Sequence, residues 1–112
     1  MTKHFKKHKE EARKLITESA HKFGLIYGVN LKRVSIRNQK TRWGSCSKLG
    51  NLNFNYKIIF LPKELQDYII VHEICHLIEF NHSKRFWDEV SRTFPNYREL
   101  RKELRKIKTS KL

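Results

Sequence analysis

The chain of 112 residues predicts an α+β fold of order α-β-β-β-α-α-α. Two observations carry it. Apolar residues recur with helical spacing near the N-terminus and through the second half, while the stretch between alternates with strand period. Glycine, proline and hydroxyl residues fall where the periods change.

From about His4 to Phe23, the positions Phe5, Ala12, Leu15, Ile16, Ala20 and Phe23 form one helical stripe, with Gly24 and Gly28 as stopping points. Val34-Ser35-Ile36 then alternates as a strand does, and Asn51 to Phe60 alternates before an apolar end. Ser47-Lys48-Leu49-Gly50-Asn51 has hairpin-turn chemistry. The expectation is a small, mostly antiparallel sheet of about three strands.

Pro62 suits the first turn of a helix, where its missing N–H is not needed, and that helix should run from about Lys63 to Phe80. Leu65, Tyr68, Ile69, Ile70, Ile74, Leu77 and Ile78 cover much of its circumference, so it should be central and packed on both sides. Ser83 can cap a following helix with Phe86, Trp87, Val90 and Phe94 inward, ended by Pro95. Leu100, Leu104 and Ile107 define a last helix from about Asn96 to Lys108.

The central helix carries His72-Glu73-Ile74-Cys75-His76. Imidazoles four residues apart sit about 40° apart around the axis, so both can close on one metal ion. Glu73 projects beside the pair, as in the H-E-x-x-H zinc-hydrolase pattern. A catalytic zinc site takes three protein ligands and leaves one position open. His82 is the first candidate for the third. A continuing helix would carry it about 9 Å along the axis, so the helix must break, and Asn81 tolerates the left-handed conformation that would break it. Glu89 is an alternative ligand. Glu79 lies about one turn above His76, where it could ligate or accept an imidazole N–H. Cys75 adjoins His76, but Cys75 and Cys46 are expected to be buried thiols, and His4, His8 and His21 to be solvated.

Burying three ionisable groups on one helix costs several kcal/mol unless a partner offsets it, and a metal ion would do so. The pattern therefore points to a metallopeptidase. Zinc would acidify its bound water, Glu73 would take the proton and later pass it to the leaving amine, with Tyr97 or Arg42 as candidate oxyanion stabilisers.

Composition bounds this reading. At 112 residues and 38% hydrophobic content, a single domain over residues 1–112 is expected. No apolar run approaches the ~20 residues of a membrane span, and the basic N-terminus lacks a signal-peptide core. Two cysteines form no disulfide framework. A cytoplasmic location follows as an expectation. Twenty-five Lys+Arg against eleven Asp+Glu leave a formal charge of +14, which suggests affinity for polyanions. An alternative function is thus a basic nucleic-acid-binding module with a structural metal, or a protease recruited to protein–nucleic-acid complexes; the oligomeric state is not legible.

Further blocks accompany the histidine motif: Thr41-Arg42-Trp43-Gly44-Ser45-Cys46, Asn53-Phe54-Asn55 before Leu61-Pro62, Asn81-His82-Ser83-Lys84-Arg85-Phe86-Trp87, and Pro95-Asn96-Tyr97-Arg98. Together they resemble the YgjP-like metallopeptidases, related to SprT-like and WLM-type minimal zinc proteases, from about Lys9 to Arg105. Many members carry an additional region before the first helix, which this sequence is expected to lack. The resemblance implies a minimal zincin-like fold and one Zn2+ bound by His72, His76 and His82, with Glu73 as catalytic base. It also implies a peptide or protein substrate, with the hairpin bearing Trp43, Gly44 and Ser45 as a substrate rim where a peptide adds as a strand. Core packing is an equal reading for Trp43.

Overall fold

The computed structural model describes residues 2–112. Helix α1 spans Lys3–Tyr27, capped by the Thr2 hydroxyl, which accepts from the Phe5 amide at 3.1 Å. Its buried stripe, Ala12, Ile16, Ala20, Phe23 and Tyr27, follows the helical period. Gly24 does not end it. That residue lies inside the helix against Leu31, whose side-chain carbons would stand 3.4 Å from an added Cβ. Gly28, at φ 67°, makes the stop.

Strands β1 (Arg33–Arg37), β2 (Gly44–Cys46) and β3 (Asn51–Asn55) form a sheet in the order β1-β3-β2. The expected α+β architecture is present, but the sheet is mixed rather than mostly antiparallel. β2 and β3 are the antiparallel arms of the hairpin, with Ser45 opposite Asn53, whereas β1 runs parallel to β3, with Ile36 beside Phe54. The cause lies in residues 38–43, which leave β1 and cross the end of β3 before β2 begins. Asn55 holds that crossing: its side-chain amide donates to the carbonyls of Gln39 (2.9 Å) and Arg42 (3.0 Å), and its backbone amide donates to Trp43 (2.9 Å). With its side-chain oxygen, Asn55 also caps a 3₁₀ turn, Tyr56–Phe60, by accepting from the Lys57 amide at 3.1 Å. That turn ends the strand expected to reach Phe60.

Helix α2 (Lys63–Cys75) follows Pro62, then α3 (Lys84–Ser91), α4 (Tyr97–Arg105) and a short 3₁₀ turn, Thr109–Lys111. α2 packs against α1, β2, β3, α3 and α4, as its all-round apolarity requires. Ile70, Val71, Ile74 and Cys75 are wholly buried, beside Leu52 and Phe54 of β3 and Phe86 and Val90 of α3. No helix among the described residues is long and apolar enough to cross a membrane.

Asn55 is fully buried, so removing its amide strands two carbonyls. Asn55→Ala should therefore cost about 2–6 kcal/mol, at one to three per stranded group, against less than about 1 for Asn53→Ala, by urea denaturation. Equal, small losses would contradict the role assigned to Asn55.

Candidate metal centre

α2 stops at Cys75, well short of Phe80, and His76 is its capping residue. The end tightens: Leu77, Ile78 and Glu79 amides donate to Ile74 (2.9 Å), Cys75 (3.0 Å) and Cys75 (2.9 Å). Asn81 does not take the left-handed conformation expected of it, since no non-glycine described residue has positive φ. The chain instead leaves the tightened turn and is caught by Ser83, whose hydroxyl caps α3 by accepting from the Phe86 amide.

This reversal brings His82 back over α2. Its Nε2 lies 3.1 Å from His76 Nε2 and 3.3 Å from His72 Nε2. Beneath them Phe86, wholly buried, stacks on His76 with centroids 4.4 Å apart and stands 5.0 Å from both His72 and His82. Trp87 flanks His72 and His82 at 5.9 Å. Both aromatics read as core positions from their spacing, yet they set the orientation of the imidazoles. The only signal was their place three and four residues past Ser83.

Burial, reinforced by His76 and His82, drives the His72 pKa down to about 3, and burial also lowers that of His76. These rings are neutral and present lone pairs. A tetrahedral ion with bonds of about 2.0–2.1 Å needs nitrogens about 3.3 Å apart. The spacings found match that, so the three imidazoles can hold one divalent cation.

The other donors are elsewhere. Glu79 directs its carboxylate to Arg85 (3.8 Å), and its carbonyl, not its carboxylate, faces His76 Nδ1 at 3.4 Å. Glu89 pairs with Arg92 at 2.8 Å, while its carbonyl accepts from the Tyr27 hydroxyl, so it is not in the cluster. Cys75 is buried and turned toward Tyr27; Cys46 is half-buried rather than buried, its thiol donating to the Ser47 carbonyl. Of the N-terminal histidines, His4 and His21 are exposed, although His4 also bonds the Tyr56 hydroxyl at 2.6 Å; His8 is half-buried, and both His4 and His8 pack on Phe60.

Glu73 points from the same helix toward β2 and is 8% exposed. Gly44 makes the room: a Cβ there would meet Glu73 Cγ at 3.2 Å and the Asn53 carbonyl at 3.1 Å. Burial pushes the Glu73 pKa up to about 7, with Arg42 pulling the other way. A cleft of about 560 Å³ opens here, floored by Tyr68, Ile69, His72 and Glu73. Arg42, Trp43 and Gly44 border it on the sheet side, and Arg101, Leu104 and Ile107 on the C-terminal side. Thr109 closes one end, its hydroxyl donating to the Lys40 carbonyl and its own carbonyl accepting from Lys57 Nζ. Ser45 is not among the lining residues, and Tyr97 stands apart, stacked 4.8 Å from Trp87.

The family model for the YgjP-like metallopeptidase domain matches residues 3–107. The chain belongs to the YgjP-like family. Its fold is also similar to two solved metallopeptidase zymogens. Abylysin of Pyrococcus abyssi has a TM-score of 0.71 at 26% identity, over 80% of this chain and 90% of that one. Jannalysin of Methanocaldococcus jannaschii has a TM-score of 0.71 at 23% identity, over 81% and 94%, and bears on the fold alone. No curated protein sequence matches significantly. Membership of a metallopeptidase family and the histidine cluster together make this YgjP-like chain a metal-dependent peptidase.

Calorimetric titration with a divalent cation should give one ion per chain. His82→Ala should weaken binding by more than about 100-fold, beyond the usual loss of an outer partner, while Glu89→Ala leaves it unchanged. Retained affinity in His82→Ala would exclude His82 from the site.

Proposed function

We propose that the chain is a zinc peptidase in which His72, His76 and His82 hold one Zn2+ and Glu73 moves the proton. The observation that carries this is the convergence of three imidazole nitrogens on one point beside a buried carboxylate from the central helix. A zinc ion there supplies Lewis acidity, polarising a carbonyl and lowering the pKa of water toward neutrality.

The protein's own residues do the rest. Glu73, with a pKa near 7, is poised to accept a proton from the attacking water and return it to the leaving amine. Gly44 lets that carboxylate sit against the sheet, and its burial excludes competing solvent. Arg42 borders the cleft and offers the positive charge a developing oxyanion needs, a role for which Tyr97, stacked on Trp87, is poorly placed. β2 is an edge strand, paired among the described residues with β3 alone, so its other side can receive an extended peptide beside Trp43, Gly44 and Ser45.

A nucleic-acid module with a structural metal is less well supported, because such a site closes with four protein donors and the cluster among the described residues has three. Recruitment to protein–nucleic-acid complexes through the +14 surface stays compatible with a peptidase. The free thiols Cys46 and Cys75 fit a reducing, cytoplasmic setting.

Glu73→Gln should keep one ion per chain while peptide cleavage falls by about 10²–10⁴-fold, the usual worth of a general base. Wild-type turnover in that variant, measured on a quenched peptide library, would remove Glu73 from the reaction.

A further inference from the structure

The cleft beside Glu73 is strongly basic. Lys40, Arg42, Arg101, Arg105 and Lys108 line it, with Glu73 as the lone carboxylate. Five cations face one acid there, in a chain that carries 25 to 11 overall. All five are exposed. None forms an ion pair among the described residues, whereas cations elsewhere do: Lys63 with Asp67, Lys84 with Asp88 and Arg92 with Glu89. Of two other surface depressions, one mixes Glu11 and Glu18 with Lys14, Lys22 and Lys63, and one between α1 and β1 is as basic as the cleft, so it is the position beside His72 and Glu73, not charge alone, that sets the cleft apart. Cations left without counter-charges around a concave, partly apolar cleft repel one another and focus a positive field into it. An anionic occupant relieves both effects.

The occupant's class follows from what lies between the cations. Tyr68, Ile69, Leu104 and Ile107 give the cleft an apolar lining suited to side chains, and its volume of about 560 Å³ takes a short segment. A nucleic-acid track would instead need a groove that follows a backbone past several bases, whereas this cleft sets only two aromatic rings, Trp43 and Tyr68, among the aliphatic Ile69, Leu104 and Ile107. Guanidinium groups pair well with planar carboxylates, and Arg101 is already held over the Trp87 ring at 5.1 Å. Position is informative too: His72 and Glu73 border the cleft, while His76 and His82 do not. The cations therefore lie to one side of the histidine centre.

We propose that this cleft selects peptides carrying Asp or Glu within a few residues of the scissile bond, on one side of it only. The proposal rests on the peptidase reading and adds its substrate class. The zinc-loaded full chain would be given a proteome-derived peptide mixture, and cleavage sites read by mass spectrometry. Acidic residues should be enriched roughly fivefold on one side, an ion-pair-sized effect that fades at high salt. Arg101→Glu combined with Arg105→Glu should shift that enrichment toward Lys and Arg. Lys32→Glu combined with Arg33→Glu, the same charge change at the start of β1 and the residue before it, should leave it acidic. Cleavage without an acidic preference, or a preference untouched by the cleft variant, would overturn the proposal and leave the peptidase reading standing.

Absence of any cleavage would count against the peptidase reading instead. The substrate class is then decided by binding of a labelled Asp-rich peptide, its Asn counterpart and a single-stranded oligonucleotide to the zinc-loaded Glu73→Gln chain. Tighter binding of the Asp peptide, lost in the cleft variant, supports the proposal. Equal binding of the two peptides, or preference for the oligonucleotide lost in that variant, overturns it.

Discussion

Three imidazoles must meet at one point, and that requires the central helix to end within a turn of His76. A helix continued through the five residues between His76 and His82 would carry the histidines apart, so those residues must form a tight non-helical connection. The solution is a tightened helix end, followed by a chain segment caught at once by the Ser83 cap of α3. Phe86 then packs against all three rings. Burial of that ring, worth about 3–5 kcal/mol against truncation, couples the site's shape to the stability of the core. The same burial keeps His72 and His76 neutral, as a cation site needs.

The sheet supplies the second half of the site. Asn55 turns the chain over the end of β3, which places β2 beside α2. Gly44 then leaves space for the Glu73 stem where any larger residue would displace it or the Asn53 carbonyl. The proposed base and the candidate metal ligands thus depend on separate layers, one from the sheet and one from the helix pair, that share α2. The cations come from yet another source, since Arg101, Arg105 and Lys108 belong to the C-terminal segment tied to Lys40 through Thr109.

Much of this was legible in the residues. Periodicity gave α1 its stripe and showed α2 to be central; Ser83 marked the start of α3, and the spacing of His72, His76 and His82 pointed to the candidate cluster. Other features were hidden for physical reasons. Strand alternation says which face is buried but not which neighbour a strand takes, so the parallel β1–β3 pairing was missed. Leu77, Ile78 and Phe80 continue the apolar rhythm past the end of α2, yet Ile78 and Phe80 are exposed, which extended the expected helix too far. Glu89 was a reasonable third ligand by residue type, and only packing shows that it serves Arg92 and Tyr27. The basic cleft joins positions some sixty residues apart, beyond the reach of any local pattern.

The most direct test of the central claim is zinc K-edge X-ray absorption on the chain loaded with one equivalent of Zn2+. Three imidazole nitrogens at about 2.0–2.1 Å and one additional light oxygen donor from solvent are the predicted shell. A sulfur donor near 2.3 Å, or only two imidazoles, would contradict a three-histidine centre with an open position.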